Sequence, residues 1–386
     1  MEFELTDEQK MMQAQLRRFL KDKDIAEIGR KCDKEAFFPR ELWKELATLG
    51  ICGIPIPQEY GGIEGSVMDM VVVQEELGCG MVDLANTFIR TVSFVGFTIA
   101  KFGTVEQKEK YLPGIVNGEI LCAGAFTEPS GGTDLLGLST KATLENDHFV
   151  VNGEKIFTSG SHQAEYIIAL VRTDTSIKRG AKGLSLLIID TKSKGLEINV
   201  LDTLGFKSTG TCQVFFDDVK VPKENLIGEL NQGWKTIGVH TLNNERIMVA
   251  AAAIGIGRSA FELAVKYAKE RTAFGAPIGK YQAIQHYLAD AAMELECGRL
   301  LTYKAAELQS QGLSCGREAA MAKLKASEAG FLSAHNGMKI MAGYGYVKEF
   351  HMERYFRESH VYTFGPITNE MSRNMIAESY GLPRSY

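Results

Sequence analysis

The chain has 386 residues, of which 45% are hydrophobic and 24% are charged. These values are ordinary for folded proteins, and the length suffices for two or three domains, so composition argues against disorder, collagen-like repeats and a disulfide scaffold. Lys and Arg number 43 against 48 Asp and Glu, which gives a net charge of −5. This balance disfavours nucleic acid and anionic lipid as partners.

The seven cysteines are scattered without a C-x-x-C pair. This spacing favours free thiols in a reducing compartment over a disulfide framework, and we predict no metal site. The longest apolar stretch, around 248–256, is shorter than the roughly 20 residues of a membrane span, and the acidic start MEFELTDEQ is unlike a signal peptide. We therefore expect a soluble, cytoplasmic protein without a membrane span.

The first part of the chain, residues 1–120, is predicted to be a helical domain. Thr6 and Gln9 have the spacing of a capping box, in which each side chain bonds the other's backbone N–H. A second helix is expected after Pro39, because Leu42 and Leu46 recur on one face and Gly50 ends the segment.

The middle part, residues 121–228, is predicted to be an antiparallel β domain because its apolar pattern is shorter. Segments 149–151 and 155–157 flank Asn152 and Gly153, a pair that favours a two-residue hairpin turn. Further apolar runs of strand length lie at 167–171, 184–189 and 214–216.

The last part, residues 229–386, returns to helical periodicity at approximately 243–270, 280–311 and 316–342, with glycines between the segments. Long helices with short connections are typical of an antiparallel four-helix bundle. Gly255-x-Gly257-x-x-Ala260 matches a dinucleotide fingerprint in letters, but an alanine-rich helical stretch precedes it instead of a strand. We therefore reject a Rossmann fold.

Two polar segments stand at predicted strand ends. The loop TEPSGGTD, residues 127–134, combines hydroxyls with two glycines, whose backbone N–H groups could meet a ring edge or a pyrophosphate. A tight turn is the alternative interpretation. The segment FTSGS, residues 157–161, places an aromatic ring beside hydroxyls, for which core packing and turn capping are the alternatives.

A third motif, Arg271-x-x-Phe274-Gly275 with Gln282 beyond it, lies between two predicted helices. By itself, Arg271 is best explained as a charge that complements a helix C-terminus.

Taken together and in order, these segments resemble the acyl-CoA dehydrogenase family of flavoproteins across nearly the whole chain. The resemblance rests on TEPSGGTD at 127–134, NGEK at 152–155, FxDxVxVP at 215–222, ERxxFG at 270–275 with Gln282, and AGYGY at 342–346. It implies an α+β fold with an N-terminal helical domain, a central β domain and a C-terminal helical bundle. It also implies FAD held between the last two domains and against a neighbouring subunit of a homotetramer.

The resemblance assigns residues to the cofactor. It implies that Phe126, Thr127, Thr133 and Ser159 contact the flavin or its phosphates, with Ser159 near flavin N5, and that Phe157 packs against the isoalloxazine. Arg271, Phe274 and Gln282 are expected to reach FAD from a partner subunit. Gly343, Thr368 and Glu370 match positions around the dinucleotide, as does Lys339, where relatives often carry Gln.

The catalytic base requires a second step. In many relatives it is the glutamate of a Tyr-Glu-Gly-Thr loop, which aligns here with Gly365-Pro366-Ile367-Thr368, so that Pro366 replaces it. Proline also lacks the N–H that in the family helps to hold the thioester oxygen, which leaves a flavin ribityl hydroxyl for that task.

Another branch, including isovaleryl-type dehydrogenases and crotonobetainyl-CoA reductases, carries its glutamate on the first long helix of the C-terminal domain. The matching segment is Leu242-Asn243-Asn244-Glu245-Arg246. We therefore predict Glu245 as the base, with Arg246 and Asn243 binding the substrate. The alternative is a surface Glu–Arg pair at a helix start. Glu358 and Glu370 are weaker acidic candidates, and His240 is expected to be a helix-end histidine.

The expected function is an FAD enzyme that interconverts an acyl-CoA and its 2,3-enoyl-CoA, passing hydride to flavin N5 and exchanging electrons with an electron-transfer flavoprotein. The sequence leaves the direction open. Two alternatives remain: an enzyme for carrier-protein-bound or cyclic acyl thioesters, motivated by the altered loop at 365–367, and a non-catalytic flavin-binding scaffold.

Overall fold

The structure, a computed structural model, describes residues 5–384 apart from the side chains of Val239 and His240, so the expectation for His240 lies outside the described residues. The first part of the chain is helical. Its helices are α1 Asp7–Asp22, α2 Ile25–Glu35, α3 Arg40–Ala47, α4 Val67–Leu77, α5 Val82–Thr87, a π-helix Phe88–Gly96, α6 Phe97–Phe102 and α7 Val105–Val116.

Capping residues set the starts of these helices. The capping box predicted at Thr6 and Gln9 is confirmed at the start of α1, and Ser66 and Thr104 open α4 and α7 in the same way. The π-helix follows α5 without a break, and all nine of its residues are buried. Such wide helical turns are rare and often occur at functional sites.

The middle part forms an eight-stranded sheet. Its strands are β1 Cys122–Ala125, β2 Lys141–Glu145, β3 His148–Ser159, β4 Tyr166–Arg172, β5 Leu184–Asp190, β6 Leu196–Leu201, β7 Thr211–Pro222 and β8 Leu226–Ile227. They are ordered β6-β7-β3-β2-β4-β5-β8, and β1 pairs with β4. The pairing is antiparallel as expected, except that β4 pairs in parallel with β1 and, at one residue pair, with β2.

Strand β4 shows why its apolar run is continuous. Ile168 and Leu170 belong to the core shared with the helices, whereas Ile167, Ala169 and Val171 belong to a second core on the other face of the sheet. Because both faces are covered, the strand does not alternate between apolar and polar residues.

The hairpin predicted at Asn152 and Gly153 is wrong. Both residues lie inside the continuous strand β3, where the register with β7 shifts between Val151 and Gly153. Gly153 has φ +144°, and a Cβ there would lie 2.7 Å from the Cα of Thr140. The register shift leaves one residue of β3, Asn152, opposite two residues of β7, so the bulge lies on β7. Gly153 permits the close approach of Thr140, and the hairpin turn lies instead between β2 and β3.

The last part of the chain is helical again. After α8 Gly233–Ile237 come α9 Val239–Glu270, α10 Gln282–Ser310, α11 Gly316–Met341, α12 Met352–Val361 and α13 Asn369–Glu378. A two-residue ladder of β9 Thr272–Ala273 and β10 Ala276–Pro277 lies between α9 and α10. The predicted fold class, helical, then sheet, then helical, is confirmed.

The glycines of the rejected fingerprint allow helices to pack closely. A Cβ on Gly255 would lie 2.2 Å from the backbone oxygen of Glu75 in α4, and one on Gly257 would lie 2.7 Å from the Cα of Gly330 in α11. Both glycines are in the middle of α9. Their lack of a side chain therefore sets the distance between helices.

Buried ion pairs join the two helical parts. Arg258 on α9 bonds Glu75 at 2.8 Å and Glu76 at 2.5 Å, and both carboxylates are almost fully buried on α4. Arg17 and Arg299 bind the same two carboxylates from α1 and α10. Thr241–Glu270 is long and apolar enough to pass as a membrane span, but 72% of its most apolar window is buried inside the protein, as in a core helix.

Candidate active site

Glu245 lies in the second turn of α9. Its side chain is partly buried, and no group among the described residues donates a hydrogen bond to its carboxylate. Burial raises the pKa of Glu245 to about 7, and the positive charge of Arg246 opposes this rise. A carboxyl group with this pKa can release and accept a proton near neutral pH, as a general base requires.

Asn244, the residue before Glu245, fixes this turn of α9 to the N-terminal part of the chain. Its fully buried amide donates a 2.8 Å hydrogen bond to the backbone oxygen of Ser93 in the π-helix. The backbone position of Glu245 is therefore fixed by a contact between two domains. The sequence pointed to Glu245 only through the family resemblance.

Asn243 and Arg246 lie together, on another side of α9. Arg246 Nη1 donates to Asn243 Oδ1 at 2.7 Å, and Asn243 Nδ2 donates to the Cys315 sulfur at 3.5 Å. Successive helix residues are rotated by about 100°, so Asn243 faces nearly away from Glu245. The structure thus brings Asn243 and Arg246 to the start of α11.

The loop with the proline substitution is anchored by a buried lysine. Lys323 of α11 is 0% exposed, and its ammonium donates to the Ile367 backbone oxygen at 2.5 Å and to Asn369 Oδ1 at 2.8 Å. Burial lowers the pKa of Lys323 to about 8, and the charge of Arg246 acts in the same direction. Pro366 itself is exposed. The loop is therefore fixed to α11, at a lysine that is within electrostatic range of Arg246.

Glu358 is a second carboxyl group with a raised pKa. Burial raises its pKa to about 8, and the Arg354 guanidinium, 3.4 Å away, opposes the rise. A Cβ on Gly205 would lie 3.1 Å from Glu358 Cγ. Glu358, on α12, thus packs against the loop before β7, and unlike Glu245 it has an ion-pair partner among the described residues.

The TEPSGGTD loop is held against β3 by a buried ion pair. The ammonium of Lys155 lies 3.0 Å from Glu128 Oε1 and donates to the backbone oxygen of Phe126 at 3.0 Å. Ile156 N–H donates to the backbone oxygen of Thr127 at 2.9 Å. The structure therefore brings Phe126 and Thr127 beside the strand segment that leads to Ser159.

Phe157 is presented to solvent by an irregular strand. It has φ +58° and is 63% exposed, and the register with β7 shifts between Lys155 and Thr158. The Thr158 hydroxyl is buried without a hydrogen-bond partner among the described residues. An exposed aromatic ring with hydroxyls beside it is a surface that a flat, polar-edged ligand can cover. Thr133 is exposed in the loop nearby in sequence.

Arg271 and Gly343 share a cavity of about 470 Å³. Tyr267, Ile278, Met341 and Tyr344 also line it, and the Arg271 guanidinium lies 5.6 Å from the centre of the Tyr344 ring. Most of these residues lie at the end of α9 or at the end of α11. The two helix ends are adjacent, so segments about 70 residues apart in the sequence line the same cavity.

The remaining predicted cofactor residues lie outside this cavity. Phe274 is 97% exposed between β9 and β10, and Gln282 is exposed at the first position of α10. Lys339 extends over the Tyr287 ring at 5.1 Å. Thr368 caps α13 by accepting from Met371 N–H, and Glu370 is exposed next to it. The structure therefore leaves Phe274 and Gln282 free to face another molecule.

Sequence reasoning gave no role to Lys155, Glu128, Lys323 or Asn244. A lysine inside an apolar strand was the available signal for Lys155, because a buried lysine needs a partner. Among the side chains that the structure describes, no group of three or more His, Cys, Asp or Glu residues is arranged to hold a metal ion.

Comparison with known proteins identifies the family. Models of the acyl-CoA dehydrogenase N-terminal, middle and C-terminal domains match residues 6–119, 123–219 and 231–381. The chain is 37% identical to a probable acyl-CoA dehydrogenase, YngJ of Bacillus subtilis, over 98% of this chain and 99% of that protein. It is 36% identical to the acryloyl-CoA reductase (NADH) of Anaerotignum propionicum, over 98% of this chain and 95% of that protein.

A solved structure agrees with the family models. The butyryl-CoA dehydrogenase of Megasphaera elsdenii superposes with a TM-score of 0.93 at 35% identity, covering 99% of this chain and all of that chain. The fold, the length and the order of the three domains are thus shared throughout, and the chain belongs to the acyl-CoA dehydrogenase family of oxidoreductases.

Proposed function

We propose that the protein is an FAD-dependent enzyme that interconverts an acyl-CoA thioester and its 2,3-enoyl-CoA, with Glu245 as the catalytic base. The observation that carries the proposal is the state of Glu245. Its side chain is partly buried, its carboxylate has no hydrogen-bond partner among the described residues, and burial raises its pKa to about 7. A surface Glu–Arg pair, the alternative, would have a fully exposed carboxylate.

The residues present fit FAD. Phe157 offers an exposed ring, the Thr158 hydroxyl is buried without a partner among the described residues, and the glycine loop at 127–134 is held next to them. In the proposal Phe126, Thr127, Thr133 and Ser159 hold the flavin and its phosphates. Bound FAD would supply a two-electron acceptor for the hydride that leaves carbon 3 of the acyl group.

Glu245 performs the proton transfer in this proposal. Its carboxylate removes the proton from carbon 2 of the acyl-CoA during dehydrogenation and returns a proton to carbon 2 during reduction. Partial burial of Glu245 raises its basicity towards that needed for an activated C–H group. Arg246 and Asn243 stay in the proposal as residues that orient the acyl-CoA. Both are buried on another side of α9 from Glu245, so they act by bracing the pocket against the start of α11.

Pro366 changes the environment of the thioester carbonyl. Proline has no N–H, so residue 366 cannot donate a hydrogen bond to that oxygen. Carbonyl polarisation therefore depends on other groups, and an altered loop supports an acyl carrier thioester as the second candidate substrate.

The proposal includes partners. Arg271, Phe274, Gln282, Lys339, Gly343, Thr368 and Glu370 are assigned to FAD, the first three of them acting across a subunit interface of a homotetramer. The 97% exposed Phe274 supports this assignment, because a large apolar side chain in water usually has a partner. Electron-transfer flavoprotein is the proposed electron partner, and the cytoplasm is the proposed location.

The test is anaerobic bleaching of the bound flavin. Purified protein with oxidised flavin is mixed with a panel of acyl-CoAs and matched carrier-protein thioesters. In a second series, the flavin is first reduced chemically, and the protein is then mixed with the corresponding enoyl thioesters. We expect at least one CoA thioester to bleach or reoxidise the flavin. Glu245→Gln should retain FAD and slow this step by orders of magnitude.

Glu262→Gln is the matched control, because Glu262 is an exposed glutamate of the same helix. It should react at the normal rate. Near-normal reduction by Glu245→Gln would move the base elsewhere. Turnover only with carrier thioesters would show that the substrate is bound to a carrier protein and not to CoA. A bound flavin that no thioester bleaches or reoxidises would indicate a non-catalytic scaffold.

A further inference from the structure

The π-helix carries a buried arginine that forms no ion pair with an acidic side chain among the described residues. Arg90 is 6% exposed, and its two terminal nitrogens donate to the backbone oxygen of Cys122 at 2.7 Å and to Thr87 Oγ1 at 3.2 Å. Among the described residues, its Nε atom has no hydrogen-bond partner and neither terminal nitrogen bonds a carboxylate. Buried charges are normally paired, so this cation requires an explanation.

Arg90 lies behind two segments of the proposed flavin site. Cys122 begins β1, which leads to Phe126 and Thr127. A Cβ on Gly160, the residue after Ser159, would lie 2.5 Å from the Arg90 guanidinium carbon. The guanidinium therefore packs directly against the Gly160 backbone. One cation thus contacts both segments that are proposed to hold the flavin ring.

The positive charge of Arg90 is retained at neutral pH. Burial lowers the pKa of Arg90 to about 10, which still leaves the guanidinium protonated at pH 7. Asp83 attracts it from a longer distance, but the Asp83 carboxylate accepts both the N–H and the hydroxyl of Thr209 at 2.7 Å. The Asp83 carboxylate is therefore engaged in hydrogen bonds with Thr209. Arg90 keeps its positive charge in a poorly solvated position.

We propose that Arg90 is a positioning residue that braces the flavin wall and whose charge raises the reduction potential of the bound FAD. The inference rests on the proposed FAD site. Two-electron reduction of a flavin with uptake of one proton adds one negative charge to the ring system. A fixed cation behind the wall favours that added charge, and its effect is large because the surroundings are poorly solvated.

The test measures the midpoint potential of the bound flavin by spectroelectrochemistry, without substrate. For Arg90→Gln we expect the ratio of reduced to oxidised flavin at a fixed potential to fall about tenfold, which is about 30 mV for a two-electron couple. Arg90→Lys, which retains the charge, should change the ratio less than threefold. Arg18→Gln, the same change at an exposed arginine of α1, should leave it unaltered.

A second variant protects the test against misfolding of Arg90→Gln. Thr87→Asp places a carboxylate beside the guanidinium while retaining the Cys122 hydrogen bond, and it should shift the ratio in the same direction. If FAD-bound Arg90→Gln has the same flavin midpoint potential as the wild type, the proposed role of Arg90 is overturned and the proposed function is not. If Arg90→Gln does not fold, an unchanged potential in Thr87→Asp has the same meaning. Wild-type protein that fails to bind FAD overturns both proposals. A shifted potential without thioester turnover overturns only the proposed reaction.

Discussion

Lys155 and Glu128 form an ion pair from which solvent is excluded. The ammonium nitrogen lies 3.0 Å from the carboxylate, and the side chains are 0% and 2% exposed. Glu128 also accepts from the backbone N–H groups of Ser139 and Thr140. The pair therefore joins the TEPSGGTD loop to β3 at the edge of the proposed flavin surface.

Loss of Lys155 should be costly. Lys155→Met leaves Glu128 buried without its cation, and removing one partner of such a pair costs about 3–5 kcal/mol of unfolding free energy. Urea unfolding measures this loss, and FAD affinity should fall with it. The double variant with Glu128→Gln should recover part of the stability. A loss no larger than that of Lys141→Met, at an exposed position of β2, would contradict a role for the pair.

The same pair predicts loss of stability in acid. Burial opposes ionisation of Glu128, but the Lys155 charge and the hydrogen bonds lower the pKa of Glu128 to about 2 in the folded state. Its contribution is therefore complete above the unfolded value near 4.5 and is lost as pH falls from there towards 2. Circular dichroism of urea unfolding at pH 5, 4 and 3 should show a smaller loss for Glu128→Gln than for the wild type.

The rate of flavin reduction should rise with pH. The pKa of Glu245 is raised to about 7 by burial, so the base is protonated below pH 7. Stopped-flow reduction by an acyl-CoA should increase about tenfold per pH unit up to pH 7 and then level off. A profile that is flat between pH 5 and 8 would exclude Glu245 as the titrating group.

The raised pKa of Glu245 has an opposite effect on stability. The folded protein keeps a proton that the unfolded chain releases above about pH 4.5, so this contribution favours the folded state less as pH rises from 4.5 through 7. Glu245→Gln should therefore gain stability relative to the wild type between pH 5 and pH 8 in urea unfolding. An equal difference at both pH values would contradict a buried, titrating carboxyl group.

Lys323 should control the order of the loop at 363–369. Lys323→Met leaves the Ile367 carbonyl and the Asn369 amide without their buried donor, with an expected loss on the order of 2–3 kcal/mol. Hydrogen exchange measured by mass spectrometry should quicken in this loop more than in the helices. Lys304→Met, at an exposed position of α10, is the control. Unchanged exchange in 363–369 would remove Lys323 as the anchor.

The contact between α4 and α9 should not tolerate a methyl group. A Cβ on Gly255 would lie 2.2 Å from the Glu75 backbone oxygen, so Gly255→Ala should destabilise the protein by about 1–3 kcal/mol. Gly316→Ala, whose Cβ would meet its nearest neighbour at 3.9 Å, should be neutral or slightly stabilising. Thermal unfolding compares the two, and equal behaviour would refute the close packing.

The sequence predicted the order of the elements because apolar periodicity and capping residues act over a few positions. Helices α9, α10 and α11 and the strands around 167–171 and 184–189 were located in this way. The continuous strand at Gly153 was missed, since an Asn-Gly pair looks the same in a hairpin turn and in a strand that faces a bulge. What distinguishes the two is Thr140, which a Cβ at Gly153 would meet and which lies on the neighbouring segment of chain.

The site was only partly predictable for the same reason. Glu245 could be proposed from its place in a helix segment, but its desolvation depends on the packing of α9 against the π-helix. Lys323 binds residues more than 40 positions away, and Arg90 contacts Cys122 in β1 and Gly160 just after β3. No local pattern encodes such partners. That Asn243 faces away from Glu245 also became clear only from the geometry of α9.

Because the proposed base lies on α9, its position does not depend on the conformation of the loop at 365–367. A glutamate carried by that loop would move with it. The helix has 32 residues, about 48 Å of continuous backbone, and it is fixed by Asn244 near one end and by Arg258 further along. The segment around Pro366 carries no part of this anchorage, so its exposed side chains can change without moving α9. In the proposed enzyme, changes in this segment would therefore leave the proton-transfer group in place.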